Sequence, residues 1–136
     1  MLTDEMRRKL VQRAIDARKL AYAPYSKYPV GAALLTASGK IYGGINIENA
    51  AYPSAMCAER VAVFKAVSEG ERKFTAIAVV TVNGGEPCGS CRQVMAEFGL
   101  DTVVLIANDQ GDIVKETDVD GLLPYAFLPD DLEPGV

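Results

Sequence analysis

All three cysteines of the chain fall in two short stretches, Cys57-Ala58-Glu59 and Pro87-Cys88-Gly89-Ser90-Cys91, and the chain has no histidine. A C-x-x-C pair, a third thiolate upstream and a glutamate beside it make up the donor set of a catalytic zinc site. Three protein ligands hold the metal, a fourth position stays open to water, and a nearby carboxylate moves protons. Any fold of this chain must therefore bring the two stretches together around one ion. A structural zinc site closes with four Cys or His ligands, and no fourth exists here. Cysteines as small core hydrophobes are the plainer alternative. The C-x-x-C spacing and the carboxylate two residues after the third cysteine argue against it.

The rest of the composition fits a small globular enzyme. A length of 136 residues suits one domain, 1–136, with a core of its own, and 49% hydrophobic against 24% charged residues is ordinary for that class. The polar opening Met1-Leu2-Thr3-Asp4-Glu5 lacks an apolar signal region, and no run approaches the ~20 apolar residues of a membrane span. The expected setting is the cytoplasm, where reduced thiols are normal and an odd cysteine count points to metal binding. A net charge of −4 and scattered basic residues disfavour nucleic acid as a partner. The one cluster, Arg7-Arg8-Lys9, reads as a solvated helix face.

Thr3 or Asp4 caps a first predicted helix running to about Ala21, with Met6, Leu10, Ala14, Ala17 and Ala21 at helical spacing, and Pro24 stops it. Val30 to Ala37 and Ile41 to Glu48 flank Ser38-Gly39-Lys40 and read as a hairpin. Met56 to Glu69 is apolar over most of its circumference, which predicts a buried helix. Phe74 to Val82 has the continuous apolar character of a central strand. Cys91, Val94, Met95 and Phe98 mark the inner face of a third helix ended by Gly99. Thr102 to Ala107 and Asp112 to Thr117 are joined by too few residues for a parallel crossover, so they are antiparallel neighbours or unpaired. A short helix near Val119 to Leu123 and an irregular tail complete the order αββαβαββα. The fold class is α/β: a three-layer α/β/α sandwich on one mixed five-stranded sheet.

Both halves of the cysteine pattern fall at predicted helix N-termini, where thiolates are stabilised by the helix dipole and unpaired amides. Zinc with three thiolates carries excess negative charge, and Arg60, beside Glu59, is positioned to offset it by bonding the sulfurs; Arg92, beside Cys91, is a second candidate. Asn46 and Glu48, at i and i+2 of a strand end, project from one face. An amide and a carboxylate so placed suit the vicinal hydroxyls of a ribose. A polar strand end that caps the next loop is the alternative.

The segments Ala23-Pro24-Tyr25-Ser26-Lys27-Tyr28, Val30-Gly31-Ala32-Ala33, Asn46-Ile47-Glu48-Asn49-Ala50, Cys57-Ala58-Glu59-Arg60 and Pro87-Cys88-Gly89-Ser90-Cys91-Arg92-Gln93 together resemble the small zinc-dependent cytidine deaminases. The resemblance extends from the first helix to Leu122-Leu123-Pro124 and Phe127. It implies hydrolytic deamination of cytidine and 2′-deoxycytidine, with one zinc per chain on Cys57, Cys88 and Cys91. It gives Glu59 the proton transfers between zinc-bound water, the pyrimidine ring nitrogen and the leaving amine. By the same resemblance Asn46 and Glu48 hold the ribose and the Ala58 backbone contacts the base. Tyr28 and Phe127 become aromatic pocket walls, supplied partly by neighbouring subunits of a homotetramer.

Three features depart from that pattern. Ser90 stands where many relatives have alanine, Tyr28 where some have phenylalanine, and the loop Asn83-Gly84-Gly85-Glu86 is short. The hydroxyl of Tyr28 is thus expected to bear on substrate preference, and the short loop on the shape of the entrance. The acidic charge favours free nucleosides over polynucleotides as substrates. A modified cytosine nucleoside and a zinc-stabilised scaffold without activity are the remaining alternatives.

Overall fold

The fold was read from a computed structural model, which describes residues 2–132. The elements are α1 (Asp4–Arg18), β1 (Gly31–Thr36), β2 (Ile41–Ile45), α2 (Ala58–Ser68), β3 (Phe74–Thr81), α3 (Gly89–Ala96), β4 (Val103–Asn108), β5 (Ile113–Asp118), α4 (Val119–Leu122) and α5 (Pro129–Leu132). One mixed sheet runs in the order β2-β1-β3-β4-β5. β1 is antiparallel to β2 and β3, β3 and β4 are parallel, and β5 returns antiparallel to β4. The parallel pair requires a crossover, which α3 provides.

Helices cover both faces. Leu10, Val11 and Ala14 of α1 pack on Ala33, Leu35, Ala76, Ala78 and Leu105. On the other face Ala58, Ala62 and Val63 of α2 and Cys91 and Met95 of α3 pack on Ala32, Leu34, Ile77, Val104 and Ile106. This alternation along β1 follows from the two-residue period of a strand covered on both sides. The three-layer sandwich expected from the sequence is the observed architecture.

Two glycines set the spacing of these layers. A Cβ at Gly31 would lie 2.0 Å from the Ala14 carbonyl oxygen of α1, and one at Gly44 would lie 2.2 Å from the Ala58 carbonyl oxygen of α2. Only the missing side chains let the helices approach so closely. Gly44 thereby seats the first turn of α2 directly on the sheet.

Several boundaries differ from the sequence expectation. α1 is capped by the Thr3 hydroxyl, which accepts from the Met6 amide at 3.1 Å, but it ends at Arg18 and not near Ala21. The chain leaves the helix before Pro24 because Tyr22 pairs with the segment after β2: its amide donates to the Asn46 carbonyl, and its carbonyl accepts from the Glu48 amide. β2 likewise stops at Ile45, so Asn46 and Glu48 lie in extended backbone just past the strand. α2 is not buried all round. Phe64 is 45% exposed, because the sheet covers only one side of the helix. The expected irregular tail contains α5, and 133–136 lie outside the described residues.

Candidate active site

Two helix starts meet at one end of the sheet. Cys57 is the N-cap of α2 and Cys88 the N-cap of α3, both in extended backbone. The Cys91 amide, in the first turn of α3, points at the Cys88 Sγ at 3.5 Å. The sulfurs of Cys57 and Cys88 are 3.8 Å apart, and those of Cys88 and Cys91 are 3.3 Å apart. All three lie within 4.8 Å of one another. Tetrahedral corners 2.3 Å from a zinc ion are about 3.8 Å apart, so the triad fits that ion with little adjustment. Three soft donors select zinc over hard cations and leave one coordination position to an outside ligand.

The electrostatics suit a dication. The Cys57 thiol is pulled down to about 5 by the hydrogen bond from Cys91, with help from the Arg60 guanidinium, whose Nη2 is 3.3 Å from the Cys57 Sγ. Cys91 is pushed up by that same bond to Cys57 and by its burial. One thiolate therefore forms readily and suppresses its neighbour until a cation joins them. Arg60 thus touches a cysteine sulfur. Arg92 does not: its Nε donates to the Pro87 carbonyl at 2.8 Å and its Nη1 to the Leu122 carbonyl at 2.9 Å. It braces the backbone leading into Cys88.

Glu59 follows in the first turn of α2 and is 4% exposed. Burial pushes its carboxyl up to about 7, and the charge on Cys57 adds to the rise. A dication at the sulfurs acts in the opposite sense. A carboxyl at this position is suited to taking and returning protons.

A cavity of about 450 Å³ opens in front of these groups. Its lining includes Cys57, Ala58, Glu59 and Cys88 on one side and Tyr28, Asn46 and Glu48 on another. Asn46 is held by the backbone it faces: its Oδ1 accepts from the Val30 amide at 2.9 Å and its Nδ2 donates to the Tyr28 carbonyl at 3.0 Å. The Glu48 Oε1 accepts from the Tyr25 and Ser26 amides at 2.9 and 3.1 Å. Hydrogen bonding by Ser26 holds the Glu48 carboxyl below the usual carboxylate range. Phe127 lies apart from this cavity; the residue is 57% exposed and its carbonyl accepts from the Gln93 Nε2 at 2.7 Å.

Sequence reading missed the groups that hold the polar side of the cavity. The Tyr25 and Ser26 amides are turn donors, and a Pro-Tyr-Ser segment signals a turn without naming its acceptor. Thr81, at the end of β3, and Asn83 carry no spacing that reveals their partners.

A three-cysteine group on two helix starts, with a buried carboxyl beside it, suits a metal-dependent enzyme with one open coordination position. Residues 4–107 match the family model described as "Cytidine and deoxycytidylate deaminase zinc-binding region". The chain is 55% identical over 127 residues to a cytidine deaminase of Sporosarcina psychrophila, covering 91% of this chain and 93% of the relative. It is 54% identical over 129 residues to one of Halalkalibacterium halodurans, covering 93% and 97%. A crystal structure of cytidine deaminase from Burkholderia pseudomallei superposes with a TM-score of 0.84 at 47% identity, covering 93% of this chain and 100% of that one. The chain belongs to the cytidine and deoxycytidylate deaminase family, whose model is of a zinc-binding region, and Cys57, Cys88 and Cys91 are placed to hold a metal ion. Among the described residues, no helix is long and apolar enough to cross a membrane.

Proposed function

We propose that this chain hydrolyses cytidine and 2′-deoxycytidine to uridine and 2′-deoxyuridine with release of ammonia, as a cytoplasmic enzyme of pyrimidine salvage whose single domain spans 1–136. The observation that carries this reading is the placement of buried Glu59 beside the three sulfurs, on the wall of a cavity that also presents Asn46 and Glu48. Zinc, when bound, supplies a water acidic enough to lose a proton near neutral pH. Glu59 would take that proton and pass it to the pyrimidine ring nitrogen as the water oxygen bonds to C4; it would then take the second proton of that oxygen and pass it to the amine as the C4–N bond breaks. The place of Glu59 beside the three sulfurs, on the cavity wall, puts it where such transfers occur.

Asn46 and Glu48 hold the ribose, chiefly its 3′-hydroxyl. Each has polar capacity beyond its backbone bonds: the Asn46 amide has a second N–H, and among the described residues the Glu48 Oε2 has no partner. The Ala58 backbone contacts the base, and Tyr28 supplies one aromatic wall. Phe127 supplies another to a neighbouring subunit of a homotetramer. That arrangement agrees with the exposure of Phe127 and of Phe64 on a chain that already has a complete core. Free nucleosides are the substrates, since a chain of net charge −4 offers no continuous path for phosphates.

Turnover of cytidine compared with that of a cytosine-containing single-stranded oligonucleotide tests the substrate class. Efficient use of the nucleoside alone is the expected result. Preferential use of the oligonucleotide would overturn the assignment.

A further inference from the structure

The hydroxyl of Tyr28 has a definite partner. It donates to the Asn83 Oδ1 at 2.6 Å, across 55 positions of sequence. The same Oδ1 accepts from the Thr81 hydroxyl at 3.3 Å, and the Thr81 Oγ1 accepts from the Gly85 amide at 2.7 Å. Thr81 is 2% exposed at the end of central strand β3, so this chain of bonds starts from a rigid anchor. Every proton in it is assigned: the Tyr28 proton goes to Asn83, the Thr81 proton to Asn83, and the Gly85 proton to Thr81. The loop so held runs directly into Cys88. Gly85, Glu86 and Cys88 line the same cavity as the Tyr28 ring.

Gly85 is part of the same contact. Its φ is not in the left-handed region, so conformation alone does not require glycine there. Space does. A Cβ at position 85 would lie 2.4 Å from the Tyr28 hydroxyl oxygen, while the next atoms, the Asn83 Oδ1 and the Tyr28 Cζ, are at an ordinary 3.6 Å. The Tyr28 oxygen is the one atom nearer than ordinary contact, so alanine at position 85 must displace the end of that side chain.

We propose that Tyr28 is a positioning residue as well as a pocket wall: through Asn83 and Gly85 its hydroxyl sets the place of the loop 82–87 against its own ring, and so the width of the cavity in front of Cys88. The proposal rests on the reading of this cavity as the nucleoside site. It changes the expected meaning of the tyrosine. A hydroxyl whose proton is given to Asn83 does not donate to substrate; it acts on affinity through the loop.

The test uses Tyr28→Phe, Gly85→Ala and the double variant in the zinc-loaded full chain. Michaelis constants for cytidine are measured together with hydrogen exchange of the 82–87 amides. Tyr28→Phe is expected to raise KM about threefold, with a smaller change in kcat, and to speed loop exchange, as loss of one partly exposed hydrogen bond implies. Gly85→Ala is expected to raise KM by about tenfold or more, as forced overpacking implies. The double variant should be no worse than Tyr28→Phe alone, because the clashing oxygen is gone. Additive damage in the double variant, or loop exchange unchanged by Tyr28→Phe, would overturn the proposal. If the wild-type chain does not process cytidine, the substrate reading fails, while the exchange measurements and the suppression of Gly85→Ala in them still decide the tether.

Discussion

Arg60 lies one helical turn beyond Cys57, and its Nη2 reaches back to within 3.3 Å of the Cys57 Sγ. A zinc ion on three thiolates would carry one negative charge in excess, and this guanidinium, in contact with one of the sulfurs, would offset it. The bond to Cys57 in turn raises the Arg60 pKa, so the charge is permanent. Arg60→Ala should therefore weaken zinc binding by about 10–100-fold, the usual effect of losing a group that supports a metal ligand. Competition with a chromogenic chelator measures this directly. Zinc affinity equal to that of the wild type would show that the ligands do not depend on Arg60.

Glu59→Gln preserves the size of the side chain and removes its proton chemistry. The variant should keep zinc and fold but lose at least about 10²–10⁴-fold in turnover, the contribution of a positioned general acid–base. Steady-state rates alongside metal analysis check both halves. A variant that loses zinc as well would mean that Glu59 supports the metal rather than the protons.

Gly44→Ala tests how the site is seated. The added Cβ would meet the Ala58 carbonyl at 2.2 Å and the Ala62 amide nitrogen at 2.7 Å, both backbone atoms with little freedom to yield. The first turn of α2 must then lift from the sheet, at a cost of about 1–3 kcal/mol in stability. Because Cys57 and Glu59 ride on that turn, zinc affinity should fall with it. Chemical denaturation of the zinc-loaded protein gives the first number and chelator competition the second.

Glu48 gives the fold a defined acid sensitivity. Its carboxyl is held below the ordinary range, first by hydrogen bonding to Ser26. A depressed folded-state value contributes stability above the unfolded carboxylate range, and that contribution is lost as pH falls through the folded value. The stability difference between wild type and Glu48→Gln should accordingly shrink as the solution is acidified below about pH 4.5. A difference independent of pH, measured by urea midpoints, would contradict this account of the bonds from Tyr25 and Ser26.

The metal group was fully legible in the sequence because its determinants are local: C-x-x-C at one helix start and C-x-E at another fix residue types and spacing at once. The sheet was nearly as legible, since apolar runs such as Phe74 to Val82 follow strand burial and the short link before Asp112 excludes a parallel return. What escaped depends on contacts between distant segments. The early end of α1 follows from Tyr22 pairing with the backbone of Asn46 and Glu48. Arg92 bonds two carbonyls, one of them 30 positions away. The exposure of Phe64 reflects which side of α2 the sheet covers, which composition around the helix does not encode. Gly44 and Gly31 were visible as glycines, and the helices were predicted, but the close approach of helix to strand that requires them was not.

Three sulfurs and one buried carboxyl suit this chain to hydrolytic deamination of cytidine. Loss of the cytidine absorbance band, with ammonia release, is measured on purified protein whose zinc content is determined in the same sample. Stoichiometric uridine and ammonia with about one zinc per chain are expected, as one open tetrahedral site requires. A folded, reduced protein that binds zinc at that ratio yet leaves both cytidine and 2′-deoxycytidine unchanged would contradict this reading.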